Sequence, residues 1–142
     1  MHPAVNPFIL YEPMDKDAFI PIYNELVSTG VKFLYCEDDK PVGMFKLVPL
    51  TYRSSHIAYL GGLAIHPDHA GKGYGKKMLD EIIAFAEKKG FLRIELSVSN
   101  INEKAINLYQ KAGFKKEGVL KKYSFLKQNN VFFDEILMAY LY

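Results

Sequence analysis

Apolar side chains follow a helical period along three stretches of this chain and form strand-like runs along seven others. In DKDAFIPIYNELVSTG (15–30) the apolar positions 18, 19, 22, 23, 26 and 27 share helical spacing, with acids in the first turn and Gly30 just past the end. GYGKKMLDEIIAFAEKKG (73–90) puts Met78, Leu79, Ile82, Ile83, Phe85 and Ala86 on one broad face and stops at Gly90. NEKAINLYQKAG (102–113) places Ala105, Leu108, Tyr109 and Ala112 on one side. PFILYEP (7–13), VKFLYCE (31–37), PVGMFKLVPL (41–50), SHIAYLGGLAIHP (55–67), FLRIELSVS (91–99), FKKEGVLKKYSFLK (114–127) and VFFDEILMAYLY (131–142) read as strands. Asp38-Asp39-Lys40 and Gln128-Asn129-Asn130 supply hairpin turns. The order β-α-β-β-β-α-β-α-β-β predicts an α/β (α+β) domain, a mixed sheet with helices on its faces.

A chain of 142 residues matches one domain, so residues 1–142 are expected to share a single core, burying roughly 68–70% of the unfolded surface. Hydrophobic residues at 49% and charged residues at 24% are the profile of an ordinary globular protein. With 18 basic against 16 acidic residues the net charge is only +2, which argues against nucleic acid or an anionic membrane as a partner. Lys115-Lys116 and Lys121-Lys122 read as solvated strand faces. No apolar run approaches the ~20 residues of a spanning helix, and the N-terminus lacks a secretory pattern. Cys36 is the one cysteine, so no internal disulfide is possible. Together these features predict a cytoplasmic location, with Cys36 buried as a small hydrophobe.

Residues 66–78, HPDHAGKGYGKKM, place three glycines in five positions between a strand and the most regular helix. A helix start offers unpaired N–H groups and partial positive charge, and glycines let the backbone approach an anion closely, so phosphate is the expected ligand. Two nucleotide fingerprints fail. A Walker A loop would need glycine at Ala70 and a hydroxyl at Lys77, and neither Gly71 nor Gly73 opens a G-x-G-x-x-G. Gly61-Gly62, inside a strand, predicts a bulge or a close backbone approach.

A third pattern fits. Ala70-Gly71-Lys72-Gly73-Tyr74-Gly75, followed by Asn102, Ala105, Leu108, Tyr109, Gly113 and Phe114 in Asn-x-x-Ala-x-x-Leu-Tyr-x-x-x-Gly-Phe, resembles the GNAT family of acetyl-CoA-dependent N-acetyltransferases. The resemblance covers residues 31–142 well and the first 30 loosely. It implies a GNAT-like mixed sheet with splayed central strands and about three flanking helices, in which the bulged strand opens a slot for the pantetheine arm. It further implies that the backbone of Leu63 and Ile65, with Ala64 between them, meets the pantetheine amides. The N–H groups of residues 71–76 (Gly71, Lys72, Gly73, Tyr74, Gly75, Lys76) would then receive the pyrophosphate. Asn102 would bond the cofactor arm while also capping its helix, and Tyr109 would protonate the departing thiolate. Ala70 stands where the family prefers Gln or Arg, so one side-chain contact is missing, which Lys72, Lys76 and Lys77 are placed to offset.

The general base is not legible. Family carboxylate positions fall here on Tyr59 and Ser97. Glu95, two residues before Ser97, shares that strand face and could act through water, whereas His56 lies at an odd offset from Tyr59. His66-Pro67-Asp68-His69 lacks a partnering cluster, so no metal is expected. The partners implied are acetyl-CoA and an amine, and a homodimer is left open. A small amine or amino acid is favoured as acceptor, because only ~20 residues separate the first two strands, too few for a long peptide groove. Asp134 and Glu135 offer a carboxylate to a cationic amine, and Tyr11, Phe19, Tyr23, Tyr123 and Phe125 offer apolar walls. The alternatives are an enzyme acting on protein N-termini or lysines, and a non-catalytic acyl-CoA sensor.

Overall fold

A computed structural model of the chain describes residues 16–142, in the first helix without the side chains of Lys16, Phe19, Tyr23, Leu26 and Val27. The strand expected at 7–13, with Tyr11, lies outside the described residues. The other elements stand where the apolar pattern puts them: α1 (Lys16–Ser28), β1 (Lys32–Glu37), β2 (Lys40–Pro49), β3 (Ile57–Ile65), α2 (Tyr74–Lys88), β4 (Arg93–Ser99), α3 (Glu103–Lys111), β5 (Lys115–Leu126) and β6 (Val131–Leu141). The strands form one sheet in the order β1-β2-β3-β4-β6-β5. Only β3 and β4 run parallel, as the α2 crossover requires, and every other neighbour is antiparallel.

The sheet has two unlike faces. Ile94, Leu96 and Val98 of β4 alternate with Arg93, Glu95, Ser97 and Ser99, and the first set is buried. That apolar face packs on Met78, Leu79, Ile82 and Ala86 of α2, all at most 1% exposed, and on Tyr109 and Phe114. Burying side chains of this size contributes about 1.5–3 kcal/mol each relative to exposure, so this layer anchors the fold. Leu79→Ala is expected to cost about 2–5 kcal/mol, as lost contact plus cavity. The check is a lower denaturant midpoint at unchanged m-value. A cost below about 1 kcal/mol would mean that α2 is not seated on the sheet as described.

β3 carries one residue more than β2 can match. Met44 pairs with Ala64 but Lys46 with Gly61, so the register shifts by one between them. Gly62 takes the extra place at φ +56°, a conformation that side chains rarely adopt. The bulge flips the alternation. Ala58 and Leu60 join the core before it, Leu63 and Ile65 pack against the core after it. A Cβ on Gly61 would meet Lys46 Cε at 2.8 Å and Tyr59 Cε1 at 3.0 Å on the polar face. The tandem glycines are therefore required here by both space and φ.

Cys36 is exposed, contrary to the expectation that it is buried. Along β1, Phe33 and Tyr35 point inward and alternate with the exposed Leu34 and Cys36, so strand alternation on this edge strand turns Cys36 outward.

Candidate active site

The site begins where two strands part. β3 and β4 pair only at Ile57–Arg93, Ala58–Ile94 and Tyr59–Glu95. Beyond those positions β3 continues along β2 as far as Ile65, and β4 continues along β6 as far as Ser99. The facing backbones of 60–65 and 96–99 thus have no ladder with each other. Leu63, Ala64 and Ile65 form one lip of the resulting wedge. An extended, amide-bearing ligand suits such a gap, because it can pair like an added strand.

The glycine loop closes one end of the wedge. After Ile65 the chain makes a short turn, in which the Asp68 N–H donates to His66 Nδ1 at 3.2 Å, and Gly71 and Gly73 both adopt left-handed φ of +74° and +81°. A Cβ at either would meet nothing within 4 Å, so packing does not demand these glycines, but backbone conformation does, and the space above them is open. Gly75 differs: its Cβ would sit 3.4 Å from Leu108 Cδ2, which brings the start of α2 against the second half of α3. Gly73 caps α2 without a side chain, and the first intrahelical bond runs from Lys77 N–H to Gly73 O. The N–H groups of Tyr74, Gly75 and Lys76 therefore lie in the unbonded first turn, where an anion is favoured. The residues fit a pyrophosphate cradle. The lysines contribute less than expected, because Lys76 donates to both oxygens of Asp80 at 3.0 and 2.7 Å and Lys77 lies 5.4 Å over the Tyr74 ring. Both neighbours are one turn or less away, so these pairs form locally along α2.

α3 brings the second motif to the same region. Asn102 Oδ1 accepts from the Ala105 N–H at 3.2 Å, capping the helix as expected. Because this cap uses only the oxygen, two substitutions separate its two roles. Asn102→Ala is expected to cost about 1 kcal/mol of stability, whereas Asn102→Asp keeps the capping oxygen but loses the amide donor. If Asn102 also binds the cofactor arm, the Asp variant keeps its melting temperature and loses CoA affinity in calorimetric titration. Full affinity in that variant would leave Asn102 a cap alone.

Tyr109 is 8% exposed, its ring 5.8 Å from Phe114. Burial, and secondarily the neighbouring Tyr59, push its hydroxyl up to about 12, so it stays protonated throughout the neutral range. Tyr59 reaches from β3 to β4, and its hydroxyl shares a 3.3 Å hydrogen bond with Ser97 Oγ. The two positions that lack the family carboxylates are thus joined to each other.

Glu95 does share the face of Tyr59 and Ser97, but its carboxylate accepts from Arg93 Nε at 3.1 Å, and the same guanidinium makes a fork with Glu117. Glu117 is held below its usual carboxylate range mainly by that hydrogen bond. Glu95 is thus engaged in an ion pair with Arg93. His56 is exposed and precedes β3 at the paired end, where its carbonyl accepts from the Leu92 N–H. Asp134 and Glu135 part company. Asp134 accepts from the Lys122 N–H at 2.8 Å and Lys121 Nζ at 2.9 Å, which pins the β5 irregularity between Leu120 and Ser124 and holds its carboxyl low. Glu135 faces the other way and is 5% exposed, accepting from Ser124 Oγ at 2.6 Å. Tyr123 and Phe125 are exposed on β5, at 58% and 39%, which leaves them off any buried pocket wall. Among the described residues no three His, Cys, Asp or Glu side chains converge to hold a metal, and no helix is long and apolar enough to cross a membrane.

Comparison with known proteins gives one consistent picture. Residues 6–114 match the acetyltransferase (GNAT) family model. N-acetyltransferase 8B of Homo sapiens is 33% identical over 84 residues, 57% of this chain and 37% of that protein. Spermidine N(1)-acetyltransferase of Vibrio cholerae is 25% identical over 122 residues, 81% of this chain and 68% of that protein. The crystal structure of spermidine N-acetyltransferase from Vibrio cholerae with CoA and spermine has a TM-score of 0.82, covering 97% of this chain and 82% of that one at 24% identity, a likeness of fold. Against three curated relatives the match covers only 37%, 41% and 60% of their lengths.

Proposed function

We propose, from the premise that this chain belongs to the acetyltransferase (GNAT) family, that it transfers an acetyl group from acetyl-CoA to a small primary amine. The observation that carries this reading is the wedge between β3 and β4, with the left-handed Gly71 and Gly73 at its end. When bound, acetyl-CoA supplies an activated acetyl thioester. Leu63, Ala64 and Ile65 would hold its arm through backbone groups, and the amides of 71–76 its diphosphate, with Lys72 adding charge from within the loop. Asn102 would contact the arm through its amide. Tyr109 would give its proton to the leaving thiolate and regain one from solvent.

The acceptor nitrogen must leave a proton before it attacks, and the two family carboxylate positions are a tyrosine and a serine here. Deprotonation then falls to solvent, so kcat/KM is expected to rise with pH toward the amine's own pKa. Burial keeps Tyr109 protonated through that range, so no opposing limb arises from it below about pH 11–12. A pH–rate profile checks this, and a plateau near pH 6–7 would show that a protein carboxylate or histidine takes the proton.

The joined Tyr59 and Ser97 also support a second reading, an acyl-CoA-binding module without turnover. A screen over free amino acids, polyamines, aminoglycosides and peptides, reading CoA release, separates the two. Saturable CoA binding without release for any acceptor favours the module. A peptide with kcat/KM a hundredfold above every free amine favours a protein-acetylating enzyme. The amine-acetylating relative from Vibrio cholerae supports the small-amine reading, and we place the reaction in the cytoplasm.

A further inference from the structure

Glu135 has no role in the reading above, yet among the described residues it is the buried charged side chain. A carboxylate taken out of water is costly unless paired, and a hydrogen bond from one serine satisfies only part of its capacity. No lysine, arginine or histidine among the described residues forms an ion pair with it. Directly across the β4–β6 ladder stands Ser99, in register with Glu135 and therefore on the same face. Ser99 Oγ is fully buried without a hydrogen-bond partner. A buried carboxyl and an orphan hydroxyl on neighbouring positions of one face together suit a cationic group with several N–H donors. An ammonium has three.

We propose that Glu135 and Ser99 seat a second, non-reacting ammonium of the acceptor, so that the preferred substrates are diamines; this rests on the acetyl-transfer reading above. The register gives the spacing. Ser97, bonded to Tyr59 where β3 and β4 part, marks the end of the polar face nearest the wedge. Glu135 lies two residues further along and one strand over, about 7 Å by ~4.8 Å. Two nitrogens about 8.5 Å apart need a spacer of about six carbons, because an extended chain of ~1.5 Å bonds advances only ~1.25 Å per bond.

The test uses the whole chain, saturated with CoA for thermal shifts and with acetyl-CoA for kinetics. Thermal shifts and kcat/KM are measured for α,ω-diamines of two to eight carbons and for the alkylamines of matching length, in the wild type, Glu135→Gln and Ser124→Ala. The wild type is expected to prefer the diamine of about six carbons over its monoamine by about tenfold or more, the scale of one charge-assisted contact. Glu135→Gln, which keeps shape and the serine bond, is expected to bring that ratio close to one while CoA affinity is unchanged. Ser124→Ala is expected to lower the ratio less, because the charge remains. An equal diamine preference, or equal diamine-induced thermal shifts, in the wild type and Glu135→Gln would overturn the proposal. Absence of turnover with any amine bears instead on the acetyl-transfer reading, since the thermal shifts report the diamine seat without chemistry.

Discussion

Tyr109→Phe is expected to lower turnover by about 10²–10⁴-fold, the usual scale of a lost general acid, with CoA affinity nearly unchanged. The ring is retained, so its contact with Phe114 and the seat of α3 on the sheet are kept, and only the hydroxyl goes. A tyrosine pushed up to about 12 is a weak acid toward a thiol with an ordinary pKa near 8.5. The same desolvation would raise the pKa of a thiolate formed beside it, which narrows the gap between donor and acceptor. Steady-state kinetics with a saturating amine, together with calorimetric CoA binding, separates the two roles. Wild-type rates in the Phe variant would reduce Tyr109 to a packing residue.

Gly73→Glu is expected to abolish CoA binding. The native φ of +81° is open to glycine, so any side chain adds strain of roughly 1–2 kcal/mol. Gly73→Ala is therefore the necessary companion, since it carries the same strain without the length or the charge. A Cβ here projects into open space, which the Glu side chain would extend into as an anion where a diphosphate is expected. In the wild type, CoA at a hundred times its Kd raises stability by about 2.7 kcal/mol through mass action. That gain should shrink in Gly73→Ala and vanish in Gly73→Glu. An unchanged CoA affinity in the Glu variant would move the phosphate site away from this loop.

The helices and most strand limits were legible because each depends on its own period. α2 and α3 show their buried faces in the sequence, and the tandem Gly61-Gly62 announces a distortion that became the β3 bulge. What escaped depends on partners that arrive from elsewhere. Arg93 lies two residues from Glu95 on the same strand face, but nothing local says that it will also grip Glu117 from β5. Alternation alone predicts opposite faces for Asp134 and Glu135, but which one turns inward is set by pairing with Ser99 and by the Lys121–Lys122 irregularity that claims Asp134. Cys36 is a different case, since its outward position follows from alternation with Phe33 and Tyr35 and is local to the strand. The loop glycines were read correctly as special, whereas the local ties of Lys76 and Lys77 were overlooked although both lie within one helical turn.

The three-position seam between β3 and β4 has a mechanical consequence. The sheet consists of two leaves, β1-β2-β3 and β4-β6-β5, stitched by a short ladder and bridged on one face by α2, to which Tyr142 bonds at Ile83 O. Leaves joined so narrowly can open with less loss of structure than a continuous sheet. A ligand laid along the seam, as proposed for the cofactor arm, would extend the stitching past Tyr59. Its binding therefore raises the cooperativity of the whole domain, and amide hydrogens at 60–65 and 96–99, the free margins of the leaves, should exchange most slowly relative to the free protein once the seam is filled.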